Sequence, residues 1–328
     1  MKVLSLVYKT KKNAGPKAKS DIDEILKKEY NAEIIRLYRE GNFRLRTLVE
    51  FMKLFFCKDV IVLQMPMILK AAAYKFVPKE KTILLVHDLD GLRYQNMEVQ
   101  DKEINVIKQF KYIIVHNEKM KEFLISKGVD KDSLYVLELF DYLVNNGKEG
   151  NDKKNETESE FVFIGNLSKE KCPFIYQFED GDLKYNINLY GINAEEDCLN
   201  KNLIYKGSFE PEDLGCVEGK IGIVWDGNKV DTERIDCFKN YTRYNNPHKL
   251  SCYMACGKPV VVWSQAAVAD FVKKENIGYV IDSIEDINNI DFSTYNEKKE
   301  NAKRIQTKVI HGEYTKDIIK TIIEKIDQ

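Results

Sequence analysis

The sequence predicts an α/β protein built from two doubly wound domains, each with a parallel sheet. Short apolar strands alternate with helix-length segments along the whole chain, which is typical of this class. The segment 146–160 has no large apolar residue and indicates a linker between two halves. With 328 residues, the chain is long enough for two separate cores. We therefore predict domains at 1–145 and 161–328, the second ending in a helical tail.

The first half contains short apolar segments that predict strands and longer periodic segments that predict helices. The predicted strands are 3–8, 33–38, 60–63, 82–86, 112–115 and 134–137. The predicted helices are 21–30, 44–56, 67–76, 98–110 and 118–127. Segment 9–20 is predicted as a basic loop, because Gly15 and Pro16 interrupt it.

The second half repeats this alternation. Its predicted strands are 161–164, 187–190, 203–205, 221–225, 259–263 and 278–281. Its predicted helices are 172–178, 211–214, 267–274, the tail segments 297–309 and 314–326, and one that starts at Pro247 and stops before Gly257. Because strands that alternate with helices run in the same direction, each half predicts a parallel sheet.

Composition excludes several classes of protein. The chain is 44% hydrophobic and 31% charged, as expected for a globular protein without membrane spans. Its 51 basic and 52 acidic residues give a net charge of -1, which argues against a dedicated nucleic-acid binder. The N-terminal apolar run is too short for a signal sequence, so we expect a cytoplasmic protein with at most peripheral membrane contact. Seven scattered cysteines indicate neither a disulfide framework nor a metal site.

Segment 240–264 carries the strongest chemical signal, a polar loop followed by a helix and a buried strand. Pro247 suits the first turn of a helix, where its missing N–H is not needed. His248 and Lys249 then lie where unpaired N–H groups and the helix dipole attract anions. A lysine is unfavourable at this end of a helix unless an anion binds beside it. A phosphate could bind both the lysine and the unpaired N–H groups. An ordinary strand–helix unit with an incidental lysine remains the alternative.

Other polar residues follow strands of the second half, where open α/β sheets bind ligands. Gly165, Lys169 or Lys171, and Lys249 would suit a diphosphate, which needs N–H groups and cations. Aromatic and amide side chains suited to a base or sugar also occur there: Tyr190, Tyr241, Tyr244, Asn245 and Asn246. Each tyrosine could equally be a packing residue. Neither a GxGxxG after the first strand nor a GxxxxGK[ST] occurs, which disfavours dehydrogenases and P-loop ATPases.

In the first half, HDLDGLR at 87–93 follows a predicted strand. Asp88 and Asp90 form a DxD that could hold a divalent ion, although Asp180 and Asp182 match the same pattern. At a strand end, His87 and Asp88 are candidates for a catalytic base or for acceptor binding. The alternative for His87 is a hydrogen bond to the backbone. His116 is a weaker candidate, and His311, in the helical tail, is interpreted as structural.

Several stretches together resemble one bacterial glycosyltransferase family. They are NNPHKL at 245–250, GKPVVVWS at 257–264, AGPKAKSD at 14–21, HDLDGLR at 87–93, FIGNL at 163–167, YGIN at 190–193, YKGSF at 205–209 and VWDG at 224–227. The family includes the glucosyltransferase that extends O-linked N-acetylglucosamine on serine-rich-repeat adhesins, and members labelled galactofuranosyltransferases. The resemblance covers nearly the whole chain, and its most specific part is the NNPHK block with the strand ending in Trp-Ser.

This resemblance implies a GT-B fold, with two Rossmann-like domains facing a cleft and UDP in the second one. It also implies a homodimer or homotetramer, and no obligatory metal or other cofactor. Lys249 would neutralise the diphosphate leaving group, and Arg93 would contact the acceptor. The residues that we predict to contact the UDP-sugar are Gly15, Pro16, Gly165, Asn166, Lys171, Tyr190, Tyr244, Asn245, Asn246, Pro247, His248, Lys249 and Leu250.

The resulting hypothesis is a hexosyltransferase that moves glucose from a UDP-sugar to a saccharide acceptor on a glycoprotein or surface glycan. The domains would close, Lys249 would stabilise the leaving group, and His87 or Asp88 would deprotonate the acceptor. Two alternatives remain open at this point. One is a metal-dependent GT-A-type transferase that uses Asp88 and Asp90, and the other is a non-catalytic GT-B subunit that binds an acceptor protein.

Overall fold

The computed structural model describes residues 1–7, 15–38, 59–64, 74, 77–144, 159–229 and 236–328. The chain forms two compact units: unit 1 is Met1–Asp141 with Gly312–Gln328, and unit 2 is Tyr142–His311. Each unit contains a six-stranded sheet, and the paired strands are parallel. The two parallel sheets predicted from the alternating pattern are therefore confirmed. The predicted linker lies mostly outside the described residues.

The sheet of unit 1 confirms the six predicted strands. These are β1 (Lys2–Val7), β2 (Glu33–Tyr38), β3 (Ile61–Leu63), β4 (Thr82–Leu85), β5 (Tyr112–Val115) and β6 (Leu134–Val136). Their order in the sheet is β2-β1-β3-β4-β5-β6. The described residues of β3, β4 and β5 are buried, as expected for strands covered on both faces. The carboxyl ends of these three strands consequently lie side by side.

Four α-helices are described in the first 141 residues: α1 (Gly15–Tyr30), α2 (Asp90–Arg93), α3 (Met97–Ile107) and α4 (Glu118–Ser126). Helix α1 begins six residues earlier than predicted, so the later part of the predicted basic loop is helical. The prediction was wrong because a proline in the first turn of a helix loses no hydrogen bond, and Pro16 occupies that turn. The predicted helices 44–56 and 67–76 lie, apart from Tyr74, outside the described residues.

The last helix, α9 (Glu313–Ile326), belongs to unit 1, whereas the sequence analysis placed it in the second domain. Its Ile319 and Ile322 are fully buried in one core cluster with Ile22 and Leu26 of α1. Tyr30 also donates a hydrogen bond to the carbonyl of Lys316 at 3.0 Å. The division of the chain must be corrected accordingly. Apolar periodicity showed that this helix needs a core but not which core it joins.

Asp141, the last residue of the first segment of unit 1, caps the start of α9. Its carboxylate accepts hydrogen bonds from the N–H groups of Thr315 at 2.7 Å and Tyr314 at 3.3 Å. Burial raises the pKa of this carboxyl to about 7. The side chain thus supplies acceptors for N–H groups that have no partner within the helix.

The sheet of unit 2 contains β7 (Phe161–Asn166), β8 (Ile187–Ile192), β9 (Leu203–Tyr205), β10 (Ile221–Val224), β11 (Val260–Trp263) and β12 (Gly278–Ile281). The strand order is β12-β11-β10-β7-β8-β9. The chain therefore proceeds outward from β7 in one direction and from β10 in the other. In sheets of this kind the crevice beyond the carboxyl ends of the two central strands is the usual ligand site.

The helices described in unit 2 are α5 (Cys237–Tyr241), α6 (His248–Ala255), α7 (Val268–Glu275) and α8 (Tyr295–Ile310). The segment predicted as a helix at 172–178 instead contains the short 3-10 helix Pro173–Gln177. The predicted helix at 211–214 is not formed, and a 3-10 helix, Leu214–Cys216, begins at its last residue. Pro247 immediately precedes α6 with an extended backbone, φ -62° and ψ 130°, rather than lying in its first turn. Among the described helices, none is long and apolar enough to cross a membrane.

Candidate functional site

The start of α6 lies against the carboxyl ends of β7 and β10, the two central strands of unit 2. Lys249, in its first turn, extends its ammonium group to the carbonyl of Trp225 at 2.7 Å and to Oδ1 of Asp226 at 2.8 Å. Both partners directly follow β10. The same ammonium lies 4.5 Å from the ring centroid of Phe163 in β7. Lys249 is thus placed where the strand order of this sheet reverses.

Asp226 is a site residue that the sequence analysis did not single out. The side chains of Lys249 and Asp226 are about 10% and 12% exposed, so the ion pair is largely shielded from solvent. The carboxylate neutralises the lysine before any ligand arrives. An acidic residue directly after a buried strand was the available signal, within the VWDG motif, but its partner lies 23 positions away.

Asn245 adds an unsatisfied polar atom just before α6. The residue is 9% exposed, and its Oδ1 is buried with no hydrogen-bond partner among the described residues. The Oγ of Ser251, within α6, is also buried with no hydrogen-bond partner among the described residues. A buried acceptor left unpaired costs about 1–3 kcal/mol. A ligand that donates a hydrogen bond would relieve this cost, which favours the predicted donor-binding role of Asn245.

The neighbouring residues of the NNPHKL block differ in exposure. Asn246 and Leu250 are buried, and Leu250 packs in the core rather than presenting its side chain at the surface. The ring of His248 stacks on Tyr142, with centroids 5.0 Å apart. Tyr244 is half-buried. The structure therefore brings the predicted block together at one helix start, with Leu250 as an anchor of that helix.

The carboxyl end of β7, followed by the loop to Lys171, also lies near Lys249. A side-chain carbon added to Gly165 would be 3.9 Å from the lysine ammonium, so this glycine adjoins the ion pair. The Oδ1 of Asn166 accepts hydrogen bonds from Ser168 N–H and from the Asn193 amide, which shape the loop. Lys171 is half-buried at the end of this loop. Gly165, at the carboxyl end of β7, is the residue of this segment that the structure places beside Lys249.

Tyr190, also predicted to border the donor, has an occupied hydroxyl group. It donates a hydrogen bond to the carbonyl of Cys216 at 2.9 Å and accepts one from the N–H of Glu218 at 3.2 Å. Burial raises the pKa of this phenol to about 12. The hydroxyl thus holds the segment before β10 in place, and a contact between Tyr190 and the donor stays a prediction.

A cluster of cations and indole rings adjoins α6 and was missed by sequence reasoning. Lys239 is 3% exposed, and its ammonium lies 5.0 Å from the Trp225 ring centroid and 4.7 Å from that of Trp263. The Arg243 guanidinium lies 4.5 Å from the Trp263 ring. Cations over indole faces are attracted by the ring quadrupole. A small cavity next to this cluster is lined by Val224, Trp225, Asp226, Lys239, Thr242, Pro247, Trp263 and Ala266.

In unit 1, His87 follows the end of β4 and is 7% exposed. Its Nε2 lies 2.7 Å from Oε1 of Gln64, a side chain at the end of β3. The ring also stacks on Phe140, with centroids 5.4 Å apart. His116, after the next strand β5, donates a hydrogen bond from Nε2 to the backbone carbonyl of Val86 at 2.9 Å. Burial lowers the pKa of His116 to about 4, so it is neutral at pH 7.

Asp88 and Arg93, predicted as a catalytic residue and an acceptor contact, form an ion pair with each other. The backbone N–H groups of Asp90 and Gly91 donate to the carboxylate of Glu103, and burial raises the pKa of Glu103 to about 7. Within the described ranges, no group of three or more His, Cys, Asp and Glu residues is placed to hold a metal ion. Asp88 is therefore a weaker candidate base than His87.

Gly15 and Pro16, predicted to contact the donor from the first domain, begin α1 in unit 1. The next residue, Lys17, forms an ion pair with Asp21 at 2.6 Å, and both side chains are buried. One charge of the predicted basic loop, that of Lys17, is therefore buried in unit 1. The contribution of Gly15 and Pro16 to donor binding stays a prediction.

Comparisons with known proteins match nearly the whole chain. A model of the glucosyltransferase 3-like N-terminal domain matches residues 1–139, and one of the corresponding C-terminal domain matches residues 161–322. The chain is 30% identical to the beta-1,6-galactofuranosyltransferase WbbI of Escherichia coli K12, over 97% of this chain and 96% of WbbI. It is 22% identical to glucosyltransferase 3 of Streptococcus gordonii, over 73% and 70% of the two chains.

Solved structures agree at the level of the fold. Anabaena HepE, crystallised in complex with UDP, superposes with a TM-score of 0.63 at 14% sequence identity, and both chains are covered completely. The two parallel sheets, the terminal helices and this match identify the GT-B fold. The alternative of a GT-A-type transferase is excluded, because that class lacks the two separate Rossmann-like sheets.

Proposed function

The chain belongs to the glucosyltransferase 3-like family and is a glycosyltransferase, and we propose that it moves a hexose from a UDP-sugar to a saccharide acceptor. The observation that carries the donor assignment is the position of Lys249. Its ammonium lies at the start of α6 and at the reversal point of the sheet in unit 2. The UDP bound to HepE, a protein of the same fold, supports a UDP donor.

Lys249 and the N-terminus of α6 provide the chemistry that a diphosphate leaving group requires. Negative charge develops on the departing UDP as the bond to the sugar breaks, and preorganised cations and N–H groups stabilise it. Lys239, which lines the same small cavity as Pro247, adds positive charge near this helix start. The Oδ1 of Asn245 would accept a hydrogen bond from a donor hydroxyl. In this mechanism the leaving group departs without an obligatory metal ion.

We propose glucose as the transferred sugar, as in the name of the matching family models. Galactofuranose is a second candidate, favoured by the 30% identity to WbbI along nearly the full length of both chains. We propose a saccharide of a glycoprotein or surface glycan as the acceptor, and His87 as the base that removes its proton. The choice between sugars is tested by incubating the purified chain with UDP-glucose and with UDP-galactofuranose and measuring UDP release.

Replacing Lys249 with alanine tests the donor assignment. We expect the transfer rate to fall about ten- to a thousand-fold, in the range seen when one charge-stabilising group is lost. At the same UDP concentration the melting temperature should also rise less than in the wild type, because a weaker ligand of the native state stabilises it less. Lys273→Ala is the matched control, since Lys273 is an exposed lysine on α7.

Wild-type turnover and an unchanged UDP-induced melting shift in a folded Lys249→Ala protein would overturn the donor assignment. Addition of a strong chelator provides a separate test of the metal-free mechanism, which predicts full activity. The expected homodimer or homotetramer, which rests on the resemblance alone, is measured by light scattering.

A further inference from the structure

We propose that Gln64 is a positioning residue that holds His87 in one tautomer, with the hydrogen on Nε2, so that Nδ1 is the basic nitrogen. The catalytic consequence rests on the proposed function, in which His87 removes the proton of the acceptor. The tautomer itself follows from hydrogen-bond chemistry within unit 1. Sequence analysis did not single out Gln64.

Gln64 and His87 lie at neighbouring strand ends in a buried environment. Gln64 directly follows β3 and is fully buried, and His87 follows β4, the next strand in the sheet. A fully buried glutamine requires partners for both halves of its amide group. The direction of the amide is therefore determined by its neighbours.

Those neighbours fix the orientation of the amide. The Nε2 of Gln64 lies 2.6 Å from Oδ1 of Asp23 and 3.2 Å from the carbonyl oxygen of Lys19. Both atoms are acceptors, so the NH2 group must face them. The opposite orientation would place the amide oxygen against a carboxylate and a carbonyl. Oε1 must consequently face His87, and at 2.7 Å it accepts a hydrogen bond from Nε2–H.

Stacking fixes the plane of the His87 ring. Phe140 lies parallel to it, at an interplanar angle of 9° and a centroid distance of 5.4 Å. The ring of His116 packs edge to face against Phe140, with the two ring centroids 4.8 Å apart. The hydrogen bond to Gln64 therefore selects the tautomer of His87, and the contact with Phe140 selects the plane of its ring.

The chemical consequence is that His87 accepts the proton at one defined atom, Nδ1. The acceptor O–H bond breaks as Nδ1 takes its proton, and the oxygen forms a bond to the anomeric carbon of the donor. The bond from that carbon to UDP breaks, and UDP departs with the electron pair. The resulting imidazolium keeps its Nε2–H bond to the Gln64 carbonyl, whose dipole stabilises the positive charge, and then releases the proton to solvent. In the other tautomer Nδ1 would carry hydrogen and could not accept the proton.

Long-range 1H–15N correlation spectra of the histidine rings test the tautomer directly. The chain has four histidines, and His87→Asn identifies the signals of His87. We expect the Nε2–H tautomer in the wild type and a measurable Nδ1–H population in Gln64→Met. His116 is an internal control, because its partner is a backbone carbonyl and its signals should not change. An Nδ1–H tautomer of His87 in the wild type would overturn the proposal, whatever the enzyme activity.

The kinetic test uses Gln64→Met and the conservative Gln64→Glu. We expect Gln64→Met to lower kcat about tenfold or more with an unchanged KM for the UDP-sugar, since general-base contributions reach about a hundred-fold or more. In Gln64→Glu the second carboxyl oxygen faces the acceptors of Asp23 and Lys19, so it must carry a proton there, while the first oxygen still accepts from Nε2–H. This variant should therefore keep kcat and the pH profile close to those of the wild type.

These outcomes separate the inference from the proposed function. A wild-type chain that transfers no hexose from UDP-sugars contradicts the proposed function, while the spectra still decide the tautomer. Wild-type kcat in a folded Gln64→Met variant overturns the positioning role. A lower melting temperature with unchanged kcat and an unchanged pH profile would assign Gln64 a structural role only.

Discussion

At the scale of single residues, the charge of Lys249 is already balanced. Asp226 holds it in an ion pair that is mostly out of solvent, with 2.8 Å between Nζ and Oδ1. A diphosphate that approaches Lys249 also meets this carboxylate, which repels it. Asp226 therefore orients the lysine and, by the same contact, weakens the attraction for an anion.

Replacing Asp226 with asparagine separates these two effects. The asparagine oxygen still accepts a hydrogen bond from Lys249, but the negative charge is gone, so UDP affinity should increase several-fold. Isothermal titration calorimetry at low and high salt measures this change, which should shrink as salt screens the charges. Asp270→Asn, an exposed carboxylate on α7, is the matched control. Equal or weaker UDP binding by Asp226→Asn would contradict the repulsion.

Sequence reasoning proposed Lys249 and His87 as site residues but did not find the side chains that contact them, Asp226 and Gln64. A lysine at a helix start conflicts with the helix dipole, and this local conflict is visible in the sequence. Asp226 and Gln64 show no such conflict in the sequence, because an acid or an amide after a strand is common. Each becomes informative only through a contact with a residue 23 positions away.

At the scale of elements, Tyr253 attaches α6 to the sheet of unit 2. Its ring is fully buried, and its hydroxyl accepts a hydrogen bond from Ile164 N–H at 2.8 Å. The same hydroxyl lies 3.1 Å from the carbonyl oxygen of Val162 and 3.2 Å from that of Ile223. These contacts connect the helix to β7 and β10 together. The position of Lys249 between the two strands depends on this attachment.

Gly222 in β10 makes the close approach of Tyr253 possible. A side-chain carbon at this position would lie 2.3 Å from the Tyr253 ring, so Gly222→Ala should push α6 away from the sheet. We expect a loss of about 1–3 kcal/mol of unfolding free energy, the usual cost of overpacking, and weaker UDP binding. Denaturant titration measures the first effect and calorimetry the second.

Gly215→Ala is the control for this variant, because its added carbon would meet only the Asp213 carboxylate at 3.5 Å, an ordinary contact. An unchanged denaturation midpoint in Gly222→Ala would show that the ring moves aside without cost.

At the scale of the whole molecule, the chain passes between the two units twice. It leaves unit 1 after Asp141 and returns to it at Gly312. Helix α9 then completes the core of unit 1 through Ile319 and Ile322. The stability of unit 1 therefore depends on a segment that follows unit 2 in the sequence.

Replacing Ile319 with alanine tests this arrangement. We expect a loss of about 2–5 kcal/mol, as for other large-to-small changes in cores. Amide hydrogen exchange should become faster in α1 and α9, while α6 keeps its protection. Ile125→Ala is the control, since Ile125 carries the same side chain but is 40% exposed on α4 of unit 1. Faster exchange confined to unit 2 would contradict the assignment of α9.

The amino-acid sequence was sufficient to predict the strands of both sheets, the α6 start with its lysine, and the family. Strand and helix patterns depend on residues a few positions apart, and motifs are contiguous, so both are present in the chain before it folds. The tertiary structure alone decided which core α9 joins, that Asp226 pairs with Lys249, that Asp88 pairs with Arg93, and that Gln64 orients His87. These contacts depend on strand order and on helix docking, which bring together residues that are distant in the sequence. The sequence around one residue does not indicate its distant partner.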